Sequence, residues 1–267
     1  MLINKIYKFA MGVEYNGYHY HGWQKQKHNI NTIQQHIEFA ISRIANHTVE
    51  IFCAGRTDVG VHSTGQVIHF ETYTFRKIQS WILGINSLLP YDIVIQWIIP
   101  VHHTFHARFS AIARKYYYVI YNYPYRNSIL NYLVTHYKHH LNIDNMNKAA
   151  QFLVGEHDFT SFTSKNCQSN SFIRNIIYCR ILKKQSFIFI QIKANSFLYH
   201  MVRNIVGSLL EIGKNNKPIT WLLDLLHAKD RTKAGITAKP YGLYLVKVTY
   251  PKNLNIPDNI YNNIFTL

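Results

Sequence analysis

Apolar and polar positions change their period several times along this chain, and each change marks a predicted element. Ile6 to Glu14 alternates in the manner of a half-buried strand, while after Thr32, a residue type suited to an N-cap, Ile33, Ile37, Ala40, Ile41 and Ile44 recur at helical spacing. Val49 to Ala54 and Val67 to Thr72 read as strands on either side of a glycine-containing loop. Phe75 to Leu88 reads as a helix stopped by Pro90, and Ile93 to Ile99 as another strand. The order β-α-β-β-α-β is that of a ferredoxin-like unit, whose antiparallel sheet carries both helices on one face.

The second half has a similar order. Ala113 to Tyr123, rich in Tyr, Val and Ile, predicts a strand and Asn145 to Val154 a helix. Ile173 to Lys183 and Phe187 to Ala194 predict two strands sharing a turn at Lys184 to Ser186. Helices follow at Phe197 to Ile212 and Pro218 to His227, and a last strand at Leu243 to Tyr250. Tyr123 to Tyr132 is the least regular stretch. No short-period repeat is present, which excludes solenoids and propellers. The pattern predicts an α+β protein of two lobes, 1–107 and 108–267, joined near Phe105 to Ala113.

Composition narrows the class. With 267 residues, 48% of them hydrophobic and 16% charged, the chain is long enough to bury a real core and unlike a disordered chain or a coiled coil. Lys and Arg number 29 against 13 acidic residues, a formal charge of +16, so the surface carries a positive field and a polyanion is the expected partner. A membrane is the weaker candidate, because the longest apolar stretch, Ile93 to Val101, is interrupted by Gln96 and falls short of the ~20 residues of a span. Asn4, Lys5 and Lys8 do not fit a signal peptide, and the expected location is the cytoplasm. Cys53, Cys167 and Cys179 are odd in number and widely spaced, which fits a reducing compartment.

Glycine is scarce, yet Gly12, Gly17 and Gly22 lie five apart, as do Gly55, Gly60 and Gly65. Such positions serve either as turn residues or where something approaches the backbone closely. A phosphate loop is excluded, since Gly213-Lys214 lacks the Walker spacing. Of the carboxylates, Glu38, Glu50, Glu156, Glu211 and Asp224 fall on helices or element ends, and Asp158, Asp230 and Asp258 in polar loops. Asp58 differs, lying between two glycines with Arg56 two residues before and His62 four after. A neighbouring arginine favours the charged carboxylate, so Asp58 is either a nucleophile or base, or an Asx-turn residue stabilising the loop.

Arg108, Arg114 and Lys115 surround Tyr116, Tyr117, Tyr118 and Tyr121. In a strand Tyr116 and Tyr118 share one face, which either packs in the core or stacks on an RNA base. His102, His103 and His106, or His139 and His140, lack the Cys or carboxylate that would complete a metal site and read as loose surface residues. Arg203 lies off the apolar stripe of its helix, where a solvated charge is the default.

Gly55-Arg56-Thr57-Asp58-Val59-Gly60-Val61-His62 resembles the catalytic loop of the TruA class of tRNA pseudouridine synthases. Tyr15 to Gly17 with Tyr20 to Gln24, Phe105 to Phe109, Arg114 to Tyr118, Gly155 to Phe162, His200 to Asn204 and Gly242 to Leu245 are similar to that family in order along nearly the whole chain. The resemblance implies two ferredoxin-like (RRM-like) lobes with mainly antiparallel sheets joined across a basic catalytic cleft. It also implies a homodimer that binds tRNA and isomerises uridines at positions 38, 39 and 40 of the anticodon stem-loop.

By position, Asp58 takes the part of the catalytic carboxylate, Arg203 its ion-pair partner, and Tyr116 the ring that stacks on the target base. Arg56 is implied to help extrude the uridine and occupy its place, and Leu243 to complete the apolar wall. The isomerisation breaks the N1–C1′ bond, turns the base, rejoins it through C5 and releases the C5 proton. It has no redox step, so neither cofactor nor metal is expected. Asp58 acts as nucleophile, or as base toward a sugar proton, and both routes need it unprotonated. The rival readings are a non-catalytic RNA-binding protein, which leaves a carboxylate at an anion site unexplained, and a synthase acting on other RNA positions.

Overall fold

A computed structural model describes residues 5–26, 31–165 and 167–257. Asn4 and Asp258 lie outside the described residues. Two compact units divide the chain, one reaching Ile112 and resuming at Leu245, the other running Ala113–Tyr244.

In the first unit the elements are β1 (Tyr7–Tyr15), α1 (Ile33–Ala45), β2 (Ile51–Cys53), β3 (His62–Thr72), α2 (Ile78–Asn86) and β4 (Ile93–Pro100). β1 is central, antiparallel to β3 from Tyr7↔Thr72 to Tyr15↔Ser63 and to β4 from Phe9↔Pro100 to Tyr15↔Ile93. β2 runs antiparallel to β3 through Ile51↔Phe70, and β10 (Leu243–Thr249) also borders β3. The strand alternation puts Phe9, Met11, Val13 and Tyr15 on one buried face, packed in one core with Ile33, Ile37, Ala40 and Ile41 of α1 and Trp81 and Ile85 of α2. Each buried isoleucine contributes about 1.5–3 kcal/mol of transfer free energy, so the apolar stripe, rather than capping, carries α1.

Two expectations change here. Thr32 occupies the N-cap position in extended backbone, but its side chain makes no capping bond. The first helical N–H groups are met instead by main-chain carbonyls of the preceding loop, Ile33 N–H to Gly22 O at 3.2 Å and Gln34 N–H to Trp23 O at 3.0 Å. β3 also begins five residues before the predicted Val67, because Gly65 continues the strand where a Cβ would stand 2.2 Å from the Val246 carbonyl oxygen.

The second unit contains β5 (Ala113–Asn122), β6 (Thr135–Tyr137), α3 (Ile143–Gln151), β7 (Gly155–Asp158), β8 (Ile173–Lys184), β9 (Phe187–Ala194), α4 (Met201–Gly213) and α5 (Trp221–Ala228). Its strands lie in the order β5-β9-β8-β7, all antiparallel, with β6 parallel to β5. β6 and β7, three and four residues long, are too short to show a period and were not predicted. α4 begins at Met201 rather than Phe197, since His200 has φ +61°, outside the helical region. Both units are thus mixed α and β with mostly antiparallel pairing.

Candidate active site

Asp58 is placed by a loop that leaves the first unit's sheet under close control. A main-chain bond from the β2 side to β3 runs from Ala54 N–H to Val67 O at 2.8 Å. Beyond it the Gln66 side chain takes over, its Oε1 accepting from Gly55 N–H at 3.3 Å and its Nε2 donating to Gly55 O at 2.6 Å. Thr57 turns inward, sharing a 2.8 Å hydrogen bond between its Oγ1 and the Tyr15 hydroxyl, and its carbonyl accepts from Trp23 N–H at 3.0 Å. Asp58 then opens a turn closed by Val61 N–H to Asp58 O at 3.2 Å, with Gly60 at φ +76°. That third turn position requires a positive φ, which glycine adopts without strain. Arg56 is exposed and Asp58 half-buried on either side of buried Thr57.

The two glycine clusters meet here. A Cβ on Gly17 would lie 1.9 Å from the Val61 carbonyl oxygen, and Gly22, at φ +81°, lies against Thr57 and Asp58. Close approach, not turn-making alone, is what these glycines provide. The Gly17 N–H donates to Nδ1 of His62, whose ring is buried.

Phe105 to Phe109 belongs to the same unit and is pinned at Ala107. Its N–H donates to Nδ1 of His69 at 3.1 Å and its carbonyl accepts from the Tyr250 hydroxyl at 2.6 Å. His106 is not a loose surface histidine, since its Nδ1 accepts from the Arg108 and Phe109 N–H groups. Burial, with His106 and Lys8 close by, pushes the His69 ring down to about 3. Burial pushes the Cys53 thiol up, against the opposing influence of Arg56 and Arg108. Among the described residues no group of three or more His, Cys, Asp or Glu side chains is disposed to hold a metal ion.

The other predicted residues lie in the second unit. Tyr116 is buried on β5, its ring edge-on to Phe197 with centroids 5.0 Å apart. Arg203 is no solvated charge, because its Nε donates to the Ala238 carbonyl at 2.8 Å while Ala238 N–H donates back to Arg203 O at 3.1 Å. The segment it grips is also held by Tyr118, whose hydroxyl donates to Lys239 O at 2.9 Å, and by Val119 N–H to Gly242 O at 2.8 Å. Leu243 follows directly, buried, with its N–H on Pro240 O at 3.0 Å.

Asn204 lies beneath this arrangement, fully buried. Its Nδ2 donates to Phe162 O, and its Oδ1 accepts from the Arg231 guanidinium and the Thr237 hydroxyl. Burial raises the Tyr118 phenol against the opposing influence of Thr135 and Arg203. Gln66, Tyr15, Tyr118, Asn204 and Arg231 were not singled out from sequence for these roles. The paired glycine spacing was the signal that pointed toward the first of these networks.

A protein-family model described as tRNA pseudouridine synthase matches residues 11–110 and 149–251. The tRNA pseudouridine synthase A of Tolumonas auensis is 54% identical over 94% of this chain and 95% of its own length. That of Buchnera aphidicola subsp. Acyrthosiphon pisum is 52% identical over 99% of both chains, and that of Citrobacter koseri 48% identical over 97% of this chain and 96% of its own. Among solved structures, an archaeal box H/ACA sRNP Nop10–Cbf5 complex aligns with 76% of this chain and 44% of that one at 11% identity and a TM-score of 0.34, which adds nothing to the assignment. Fold class, motif-bearing loops and full-length likeness coincide in an RNA-modifying isomerase. The chain belongs to the tRNA pseudouridine synthase family.

Proposed function

We propose that this protein converts uridine to pseudouridine at positions 38, 39 and 40 in the anticodon stem-loop of tRNA, with Asp58 as the catalytic carboxylate. The observation that carries the reading is the loop itself. Within the stretch that matches the family model, hydrogen bonds hold Gly55 and Thr57, leaving Arg56 exposed and Asp58 half-buried between them and the turn at Gly60.

In this reading Arg56 enters the stem as the uridine leaves it, Tyr116 stacks on the loosened uracil, Leu243 walls the pocket and Arg203 pairs with Asp58. Asp58 acts as nucleophile or as base toward a sugar proton. The N1–C1′ bond breaks, the base turns, a C5–C1′ bond forms and the C5 proton departs, so atoms balance without a co-reactant. Extruding a stem uridine costs a few kcal/mol, which phosphate contacts of a chain at +16 can supply. The finer architecture belongs to the same proposal: two ferredoxin-like lobes bordering a basic cleft, in a cytoplasmic homodimer. The order β4-β1-β3 with β2 beside β3 supports the first lobe. Among the described residues no helix is long and apolar enough to cross a membrane.

Tritium release decides the activity. A tRNA carrying 5-tritiated uridine should lose label to water when incubated with the purified protein, and mapping should place pseudouridine at 38 to 40. Absence of release from such tRNAs would refute the reading.

A further inference from the structure

We propose that Tyr15 and Gln66 are positioning residues that set the Asp58 carboxylate from behind; the proposal rests on Asp58 being the catalytic group. At Gly55 the chain departs from β3, and an ordinary departure would leave the next residues tethered by main-chain bonds alone. Here a Gln66 side chain with no exposure to solvent reaches across and satisfies both the N–H and the carbonyl of Gly55, at 3.3 and 2.6 Å. Its Nε2 also points at the Tyr15 hydroxyl, 3.5 Å away, and that hydroxyl meets Thr57 Oγ1 at 2.8 Å. The strut Gln66–Tyr15–Thr57 therefore grips the residues on both sides of Arg56, and the second of them directly precedes Asp58.

A buried polar network has value only when each member is matched, because a lone buried donor or acceptor costs about 1–3 kcal/mol. Matched, it allows the loop one arrangement. Thr57 faces inward, which leaves Arg56 exposed before it and Asp58 half-buried after it. Neither Tyr15 nor Gln66 needs to touch the uridine for this. Its effect is to hold a carboxylate within the small tolerance that bond-making geometry demands, where a displacement of about 1 Å can cost on the order of a hundredfold in rate.

The test compares Tyr15→Phe, Thr57→Val and Thr57→Ser in the full chain by single-turnover tritium release, tRNA filter binding and thermal melting. Tyr15→Phe and Thr57→Val each delete the shared hydroxyl bond and should slow release about 10- to 100-fold, with tRNA affinity changed by less than about twofold. Thr57→Ser keeps the hydroxyl and should restore most of the rate, which a merely structural role would not require. Tyr15→Phe or Thr57→Val releasing label at the wild-type rate while folded would overturn the proposal, as would loss of rate matched by equal loss of tRNA binding. Asp58→Asn is measured alongside. If it turns over normally, the reading of Asp58 fails; if it is inactive while Tyr15→Phe is unimpaired, only the positioning role fails.

Discussion

Gly17 and His62 are joined across 45 positions of sequence by a hydrogen bond from the Gly17 N–H to Nδ1 of the His62 ring, 3.1 Å long. The bond exists because Gly17 has no side chain, as a Cβ there would collide with the Val61 carbonyl oxygen at 1.9 Å. It locks the loop after β1 onto the loop that carries Asp58.

Gly17→Ala should therefore separate the two loops. The expected cost is about 1–3 kcal/mol of stability, as for other overpacked sites, with a fall in activity larger than the loss of folded protein explains. Urea unfolding together with tritium release at a temperature where the variant is folded checks both parts.

Asp58→Asn keeps shape and size but removes the nucleophile or base. Turnover should drop by about a thousandfold or more, while melting temperature and tRNA affinity stay near those of the wild type. Nucleoside analysis of treated tRNA reads the first, and filter binding the second.

Asn204 holds three partners from positions in three different segments. Asn204→Leu would leave the buried Phe162 carbonyl without its donor, and the half-buried Thr237 hydroxyl and one Arg231 N–H without their acceptor, while Arg231 keeps Thr237 Oγ1 and the Ala234 carbonyl. A loss of about 1–3 kcal/mol is expected, chiefly from the carbonyl, so the variant should unfold at lower urea. Arg203 would move with the Ala238 segment, and activity should fall even in the folded fraction.

His69 supplies a pH dependence. Its folded value lies near 3, lowered first by burial and then by His106 and Lys8, whereas the unfolded ring titrates near the ordinary histidine value of 6.5. Below 6.5 the unfolded state takes up a proton that the folded state refuses, so this contribution is complete above that pH and is lost as pH falls toward 3. Between pH 7 and pH 5 the loss should be about 2 kcal/mol, at roughly 1.36 kcal/mol per pH unit. His69→Asn keeps an acceptor for Ala107 N–H without the titration. Its unfolding free energy should change less over that range, as denaturant titrations at each pH would show.

Affinity for tRNA should be strongly dependent on salt. A chain at +16 that neutralises phosphates releases counterions, and log K should fall with log salt by ~0.7 to 0.9 for each phosphate contacted. An affinity unmoved between low and physiological salt would contradict a binding surface built from Lys and Arg.

The long elements were legible because burial imposes periodicity locally: the alternation of β1 and the stripe of α1 are visible in any window that contains them. The edges were not. β3 reaches back to His62 because of what lies beside Gly65, α4 starts late because of the backbone at His200, and β6 and β7 are too short to carry a period. For Asp58, its place between two glycines and near an arginine was readable, and so was the likeness of its octet to a family.

What the chain alone determined is which residues are apolar at which spacing, where charge of one sign accumulates and which rare carboxylate lies in a glycine-rich loop. These are properties of neighbours in sequence. Only the tertiary structure decided that Gln66 and Tyr15 hold that loop, that Gly17 and Gly22 serve it, and that Asn204 anchors the segment gripped by Arg203. Those relations join residues tens of positions apart through single hydrogen bonds and close approaches, and a polar side chain leaves no periodic trace of the distant partner it will meet.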